Sequence, residues 1–142
     1  MTPLVIVRDR IPANNTTKPV MQAKVLVTNA SHEYFFEEGC YILELLNDPE
    51  DSEVSIARAR VEPGETTQWH YLLDTTERYV VLQGEGVVEV GALEPQPVSA
   101  GDVVWIPPAC PQRIRNCGDG ELVFLAICTP RFQTENYRPG MP

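Results

Sequence analysis

The stretch "PGETTQWHYLLDTTERYVVLQGEG" (residues 63–86) places a histidine and a carboxylate on two short apolar segments that lie between glycines. His70 stands in the first segment, and Glu77 begins the second one seven residues later. Successive side chains of a strand point to opposite faces, so Leu72 shares the face of His70, and Tyr79 shares that of Glu77. The stretch predicts two strands that carry polar groups toward a common interior.

The rest of the chain excludes several classes of function. Its 20 acidic and 11 basic residues give a net charge of −9, which repels nucleic acids and anionic membranes. The apolar runs are much shorter than the roughly 20 residues of a membrane helix, and no signal peptide is visible. We therefore expect a cytoplasmic protein, no nucleic-acid partner and no membrane, with the four cysteines as inert thiols.

Turn residues divide the chain into many short apolar segments. Thirteen prolines and nine glycines separate them, which favours an all-β sandwich or barrel. We divide the single domain into an N-terminal arm (1–22) with a loop at 11–19, a barrel (23–130) and a C-terminal tail (131–142) that lies over the surface. The predicted strands are 23–28, 41–46, 54–61, 68–73, 78–83, 87–90, 103–106, 112–116 and 122–128.

Two groups of residues resemble the cupin superfamily. Its first motif is a glycine, five residues, His-x-His, three or four residues, a glutamate, six residues and a glycine. The positions that match this motif are Gly64, His70, Glu77 and Gly84. The second motif is matched by Gly101, Pro107 and Asn116. The resemblance covers about 54–128 and implies a double-stranded β-helix, the jelly-roll cupin barrel, with a small-molecule pocket inside.

The chain departs from the family pattern at the metal ligands. The family's two first-motif histidines, its glutamate and its second-motif histidine converge on one metal ion. Here Leu72 and Gln112 stand at two of the histidine positions, and Ala109 replaces a glycine. The resemblance then implies a reduced site of His70, Glu77 and Gln112, with Gln68 in reserve, for a zinc, iron, nickel or manganese ion. Such a site suits a metal-assisted enzyme for a small polar substrate.

Other interpretations of these residues dispense with the metal. His70 and Glu77 are candidates for an acid/base pair of an isomerase, lyase or cyclase, with Tyr79 as a proton donor or a group that orients the substrate. A core histidine that is merely hydrogen-bonded to Glu77 or Gln112 is the structural alternative. A third interpretation is a binding protein, whose barrel holds a small ligand without transforming it.

Two further features bear on ligands and partners. Arg58 and Arg60 share one face of a strand; if that face is interior, they are anchors for a carboxylate or phosphate, and otherwise they are surface residues. Trp69 and Tyr71 face away from His70, and a second subunit is expected to cover them. Many cupins are dimers, which agrees with a homodimer here.

Overall fold

The structure, a computed structural model, describes residues 20–142. In this part of the chain, short 3₁₀ turns at Ala30–His32 and Thr134–Asn136 accompany eleven strands. The strands are β1 (Tyr34–Phe36), β2 (Cys40–Leu46), β3 (Ser55–Val61), β4 (His70–Leu72), β5 (Thr76–Gln83), β6 (Glu85–Val90), β7 (Gln96–Ser99), β8 (Val103–Ile106), β9 (Gln112–Asn116), β10 (Leu122–Thr129) and β11 (Tyr137–Pro139).

The strands form two sheets that face each other. One has the order β1-β2-β3-β10-β5-β8 and the other the order β11-β4-β9-β6-β7. Alternate side chains of both sheets meet in one core, with Val81 and Phe124 from the first sheet and Val88 and Ile114 from the second. The arrangement is a jelly roll, and the predicted all-β class and cupin-barrel fold are confirmed.

Most of the predicted strands are present, but the one at 23–28 is wrong. Residues 20–29 have no regular structure, and the apolar side chains of Val25 and Val27 are each 88% exposed. An alternating apolar pattern makes a strand when a sheet edge is available to pair with it, and this segment has no strand pairing. The predicted loop at 11–19 lies outside the described residues. Within residues 20–142, no helix is long and apolar enough to cross a membrane.

The end of the chain forms a short strand at the edge of the second sheet. β11 pairs antiparallel with β4, so that Tyr137 is opposite Leu72 and Pro139 is opposite His70. A three-residue strand is too short to show a period in the sequence, and residues 138–142 are exposed, as a surface segment is. This pairing covers the edge of β4 and brings the Tyr137 ring into the interior.

At two motif positions the backbone conformation restricts which residues can be accommodated. Gly84 has φ +86°, and a Cβ there would lie 2.5 Å from the carbonyl oxygen of Glu121, so a side chain cannot be accommodated without a backbone shift. Ala109, which stands where the cupin pattern has glycine, has φ 60°. Its N–H donates to the Leu72 carbonyl over 2.7 Å, which holds the turn in this conformation.

Replacing Ala109 by glycine is expected to raise the free energy of unfolding by about 0.5–1 kcal/mol, because the gain from relieving a left-handed alanine exceeds the added entropy of the unfolded chain. Urea denaturation measures the change. The matched control is Ala100→Gly, at a residue without positive φ, which should lower stability instead. An equal loss in both variants would contradict the assigned strain.

An exposed apolar face lies outside the six-stranded sheet. Val103 and Trp105 on the edge strand β8 are 61% and 71% exposed, and Leu82 on β5 is 48% exposed. Trp69 and Tyr71 are only half-buried on the other sheet, where the Arg113 guanidinium lies 4.7 Å from the Trp69 ring centroid. The homodimer stays a prediction, which sedimentation of the purified protein tests.

Candidate functional site

A cavity lies between the two sheets and opens beside β1, β2 and the C-terminal segment. About 70 Å³ of it is open to the centres of water molecules, which is room for several waters or a small organic ligand. His70, Glu77 and Tyr79 line it, together with apolar side chains of both sheets. The sequence motif therefore marks the wall of an internal cavity.

β4 and β9 place His70 next to Gln112. The two residues are direct partners between these strands, and their exposed fractions are 3% and 0%. Leu72 lies two residues along β4 and lines the same cavity, as strand alternation requires. The position that would hold a second imidazole in the cupin pattern is thus part of the apolar wall.

A chain of hydrogen bonds joins Tyr79, Gln112 and Glu77. The Tyr79 hydroxyl donates to Gln112 Oε1, and Gln112 Nε2 donates to Glu77 Oε1 over 2.6 Å. Cys128 Sγ donates to the other oxygen of Glu77 at 3.6 Å. Both ends of the buried amide are therefore satisfied, and Gln112 links two cavity-lining groups without reaching the cavity itself.

Burial shifts the acidity of both groups at the ends of this chain. Burial raises the pKa of the Glu77 carboxyl, although the nearby charge of His70 and the hydrogen bonds from Gln112 and Cys128 oppose the shift. Burial also raises the pKa of Tyr79 well above its ordinary value. The Tyr79 hydroxyl therefore keeps its proton and acts as a donor.

The turn between β1 and β2 supplies an acid that the sequence motifs did not indicate. Glu38 lies at this turn, and its carbonyl oxygen accepts from the Gln68 N–H over 2.6 Å, which ties the turn to the segment that leads into β4. As a result the Glu38 carboxylate lies 3.2 Å from His70, between Oε2 and Nε2. No periodic pattern identifies a turn residue of this kind.

The contacts of His70 place its ring between the Gln68 carbonyl and the Glu38 carboxylate. Nδ1 is 2.8 Å from the carbonyl oxygen of Gln68, and because a carbonyl can only accept, Nδ1 carries a hydrogen. Nε2 and Glu38 Oε2 are 3.2 Å apart, close enough for a proton held by either group to pass to the other. We call this facing pair of His70 and Glu38 the proton couple.

Glu38 has an acidity suited to proton transfer near neutral pH. Burial raises its pKa to about 7, with a smaller contribution from the charge of Glu37, while the hydrogen bond from Cys40 opposes the shift. The side chain is 12% exposed and lines the cavity. It is therefore accessible to a bound molecule and changes protonation state in the physiological range.

Two buried thiols support these carboxyl groups. Cys40 Sγ donates to Glu38 Oε1 at 3.2 Å, as Cys128 does to Glu77. Burial raises the pKa of both thiols, so they remain protonated donors and are poor nucleophiles. All four cysteines are free, in agreement with their expected lack of disulfides.

The two candidate anchor arginines lie outside this cavity. The β3 residues that line it are Ser55, Ile56, Ala57 and Ala59, and Arg58 and Arg60 are not among them. Arg60 donates to Glu33 Oε1 over 2.6 Å, and Arg58 approaches the same carboxylate. The sequence could not decide which face of β3 was interior, and the structure does not bring these arginines to the other site residues.

The observed donors do not fit the predicted metal set. His70, Glu77 and Gln112 lie close together, but Gln112 Oε1 accepts from Tyr79, and the Nε2 atom of His70 faces Glu38. Among residues 20–142, no three side chains of histidine, cysteine, aspartate or glutamate are grouped to hold a metal ion. The arrangement is satisfied by hydrogen bonds instead.

Comparison with known proteins adds a family and several relatives. The cupin domain family matches residues 57–128. An uncharacterised protein of Methanocaldococcus jannaschii is 32% identical over 105 residues, which cover 72% of this chain and 83% of that one. A glucose-6-phosphate isomerase of Thermococcus onnurineus is 30% identical over 131 residues, covering 74% and 69% of the two chains.

Solved structures of similar fold include enzymes. Pac13, a nucleoside dehydratase, superposes with a TM-score of 0.67 at 20% identity, covering 85% of this chain and 92% of that one. KdgF from Halomonas superposes with a TM-score of 0.68 at 16% identity, covering 80% and 99%. At these identities the likeness concerns the fold.

Proposed function

The chain belongs to the cupin family, and on that basis we propose that it is an enzyme that transfers protons on a small molecule bound inside the barrel. The observation that carries the proposal is the 3.2 Å approach of His70 Nε2 to Glu38 Oε2 in the cavity wall. A carboxyl group with a pKa of about 7 is matched to proton transfer at neutral pH.

Each residue has a distinct role in this proposal. Glu38 is the base that removes a proton from the bound molecule, because its carboxylate lines the cavity, with Cys40 at Oε1 and His70 at Oε2. His70 exchanges its Nε2 proton with Glu38, and the Gln68 carbonyl holds its ring in the required tautomer. Glu77 is the second carboxylate of the wall, whereas Tyr79 and Gln112 are positioning residues for it.

The relatives support reactions that begin with removal of a proton. Isomerisation and loss of water are both reactions of this kind, and an isomerase and a dehydratase are among the similar proteins. A phosphorylated substrate is not carried over from the isomerase, because neither lysine nor arginine is among the described residues that line the cavity. We place the enzyme in the cytoplasm, where its free thiols are stable.

A screen for proton exchange tests the proposal without knowledge of the substrate. Purified protein is incubated in D₂O with a collection of small polar molecules, and mass spectrometry detects gain of deuterium or loss of water. We expect at least one compound to react in a manner that depends on Glu38. Parallel samples contain a chelator or added zinc, iron, nickel or manganese; activity that appears only with a metal would contradict the metal-free couple and restore the reduced metal site.

A further inference from the structure

We propose that the cavity recognises a cationic small molecule, an amine with an apolar or aromatic body, rather than a carboxylate or a phosphate. This inference rests on the proposed function because it concerns the substrate of the same cavity. It is carried by the charges and the aromatic rings of the cavity wall.

The charged groups of the wall are acidic. Glu38, Glu44 and Glu77 line the cavity, and His70 is the one basic side chain among its described lining residues. The Nε2 atom of that histidine already faces Glu38. An anionic ligand would lose its hydration here and gain no free counter-charge, whereas an ammonium group would be attracted by the carboxylates.

Aromatic rings continue the wall from the mouth to the proton couple. The Tyr34 and Phe36 centroids are 6.5 Å apart, and Phe36 is 5.2 Å from Tyr137. Tyr137 in turn stacks on His70 at 5.5 Å. Aromatic rings attract cations through their faces and bind flat apolar groups by contact, so this series suits both parts of an aromatic or alkyl amine.

The position of the ammonium group follows from the mouth of the cavity. Glu44 is exposed at the mouth, where its β3 partner is Ala57. Tyr34 also lines the cavity, and its β2 partner is Ile42, which shares the strand face of Glu44 two residues later. We assign the ammonium group to Glu44 and Tyr34, and the apolar body to the interior.

Three probes of similar shape but different charge test this assignment. Benzylamine, benzyl alcohol and benzoate are titrated into the full-length protein, and isothermal calorimetry measures their dissociation constants. Benzylamine is expected to bind at least about tenfold more tightly than benzoate, since the contact of its ammonium group with Tyr34 adds to the attraction of the carboxylates, which repel benzoate. Benzyl alcohol should fall between them.

Variants locate the binding. Glu44→Gln should weaken benzylamine severalfold and leave benzyl alcohol unchanged, and Phe36→Leu should weaken both. Glu94→Gln, at an exposed acid outside the cavity, is the matched control and should change neither. Three results would overturn the inference. Benzylamine does not bind, benzoate binds as tightly as benzylamine, or Glu44→Gln and Glu94→Gln weaken benzylamine binding equally. Because binding needs no turnover, amine binding without proton exchange would refute the proposed function alone.

Discussion

Replacing Glu38 by glutamine is expected to lower kcat by about 10²- to 10⁴-fold, the usual contribution of a positioned acid or base. Glutamine keeps the size of the side chain and its possible hydrogen bonds to His70 and Cys40, but it cannot accept the proton of the substrate. KM should change little because the shape of the cavity is retained. Rates with the compound found by deuterium exchange measure the effect.

His70→Gln is expected to cause a loss of similar size, and the double variant should be little worse than either single one, because the two residues act as a unit. Glu37→Gln is the matched control: Glu37 is exposed, adjacent to Glu38 and not among the residues that line the cavity. The kcat of Glu37→Gln should remain within severalfold of the wild-type value. Equal losses in Glu37→Gln and Glu38→Gln would show that the turn, rather than the Glu38 carboxylate, supports activity.

The pH dependence of the wild-type enzyme follows from the same assignment. Glu38 must be deprotonated to act as a base, and its pKa is raised to about 7. The value of kcat/KM should therefore rise with pH through this region and then level off, and Glu38→Gln should lose this limb. A rise near the ordinary pKa of a glutamate would mean that another carboxylate is the base.

The second large effect is expected on stability. Gln112→Leu removes the acceptor of the Tyr79 hydroxyl and the amide donor to Glu77, which are 3% and 8% exposed. An unsatisfied buried polar group costs about 1–3 kcal/mol, so the free energy of unfolding should fall by roughly 2–5 kcal/mol. Urea denaturation measures it.

A second variant separates the hydrogen bonds from the change of shape at Gln112. Combining Gln112→Leu with Tyr79→Phe should cost less than the sum of the two single losses, because the second change removes a hydroxyl that the first left without a partner. Gln83→Leu, at an exposed position of β5, is the control and should have little effect. Unchanged stability in Gln112→Leu would show that the amide chain is dispensable.

The sequence predicted the strands of the barrel and the wall that carries His70. Glycine intervals and strand alternation placed His70, Leu72 and Glu77 correctly, because both depend on local geometry. They could not show the orientation of Arg58 and Arg60. One face of β3 has small or apolar residues and the other has the arginines and an isoleucine, so both faces could be interior. Which face is interior depends on contacts that are distant in sequence.

The remaining residues of the site come from contacts that are distant in sequence. Glu38 reaches His70 because the β1–β2 turn hydrogen-bonds to Gln68, and Tyr137 enters through a three-residue strand. Neither segment has a period that a pattern could detect. For the same reason the predicted metal site was built from the motif residues and did not include the carboxylate of Glu38, which faces His70.

A carbon NMR titration of the Glu38 carboxyl group tests the central claim most directly, because it follows the protonation of this group without substrate. The resonance is assigned by its disappearance in Glu38→Gln, and its shift is followed against pH. The account predicts a midpoint of about 7, because burial of the carboxyl group in the cavity wall raises its pKa. A midpoint at the ordinary value of a solvent-exposed glutamate, about 4.3, would contradict the proton couple and the function built on it.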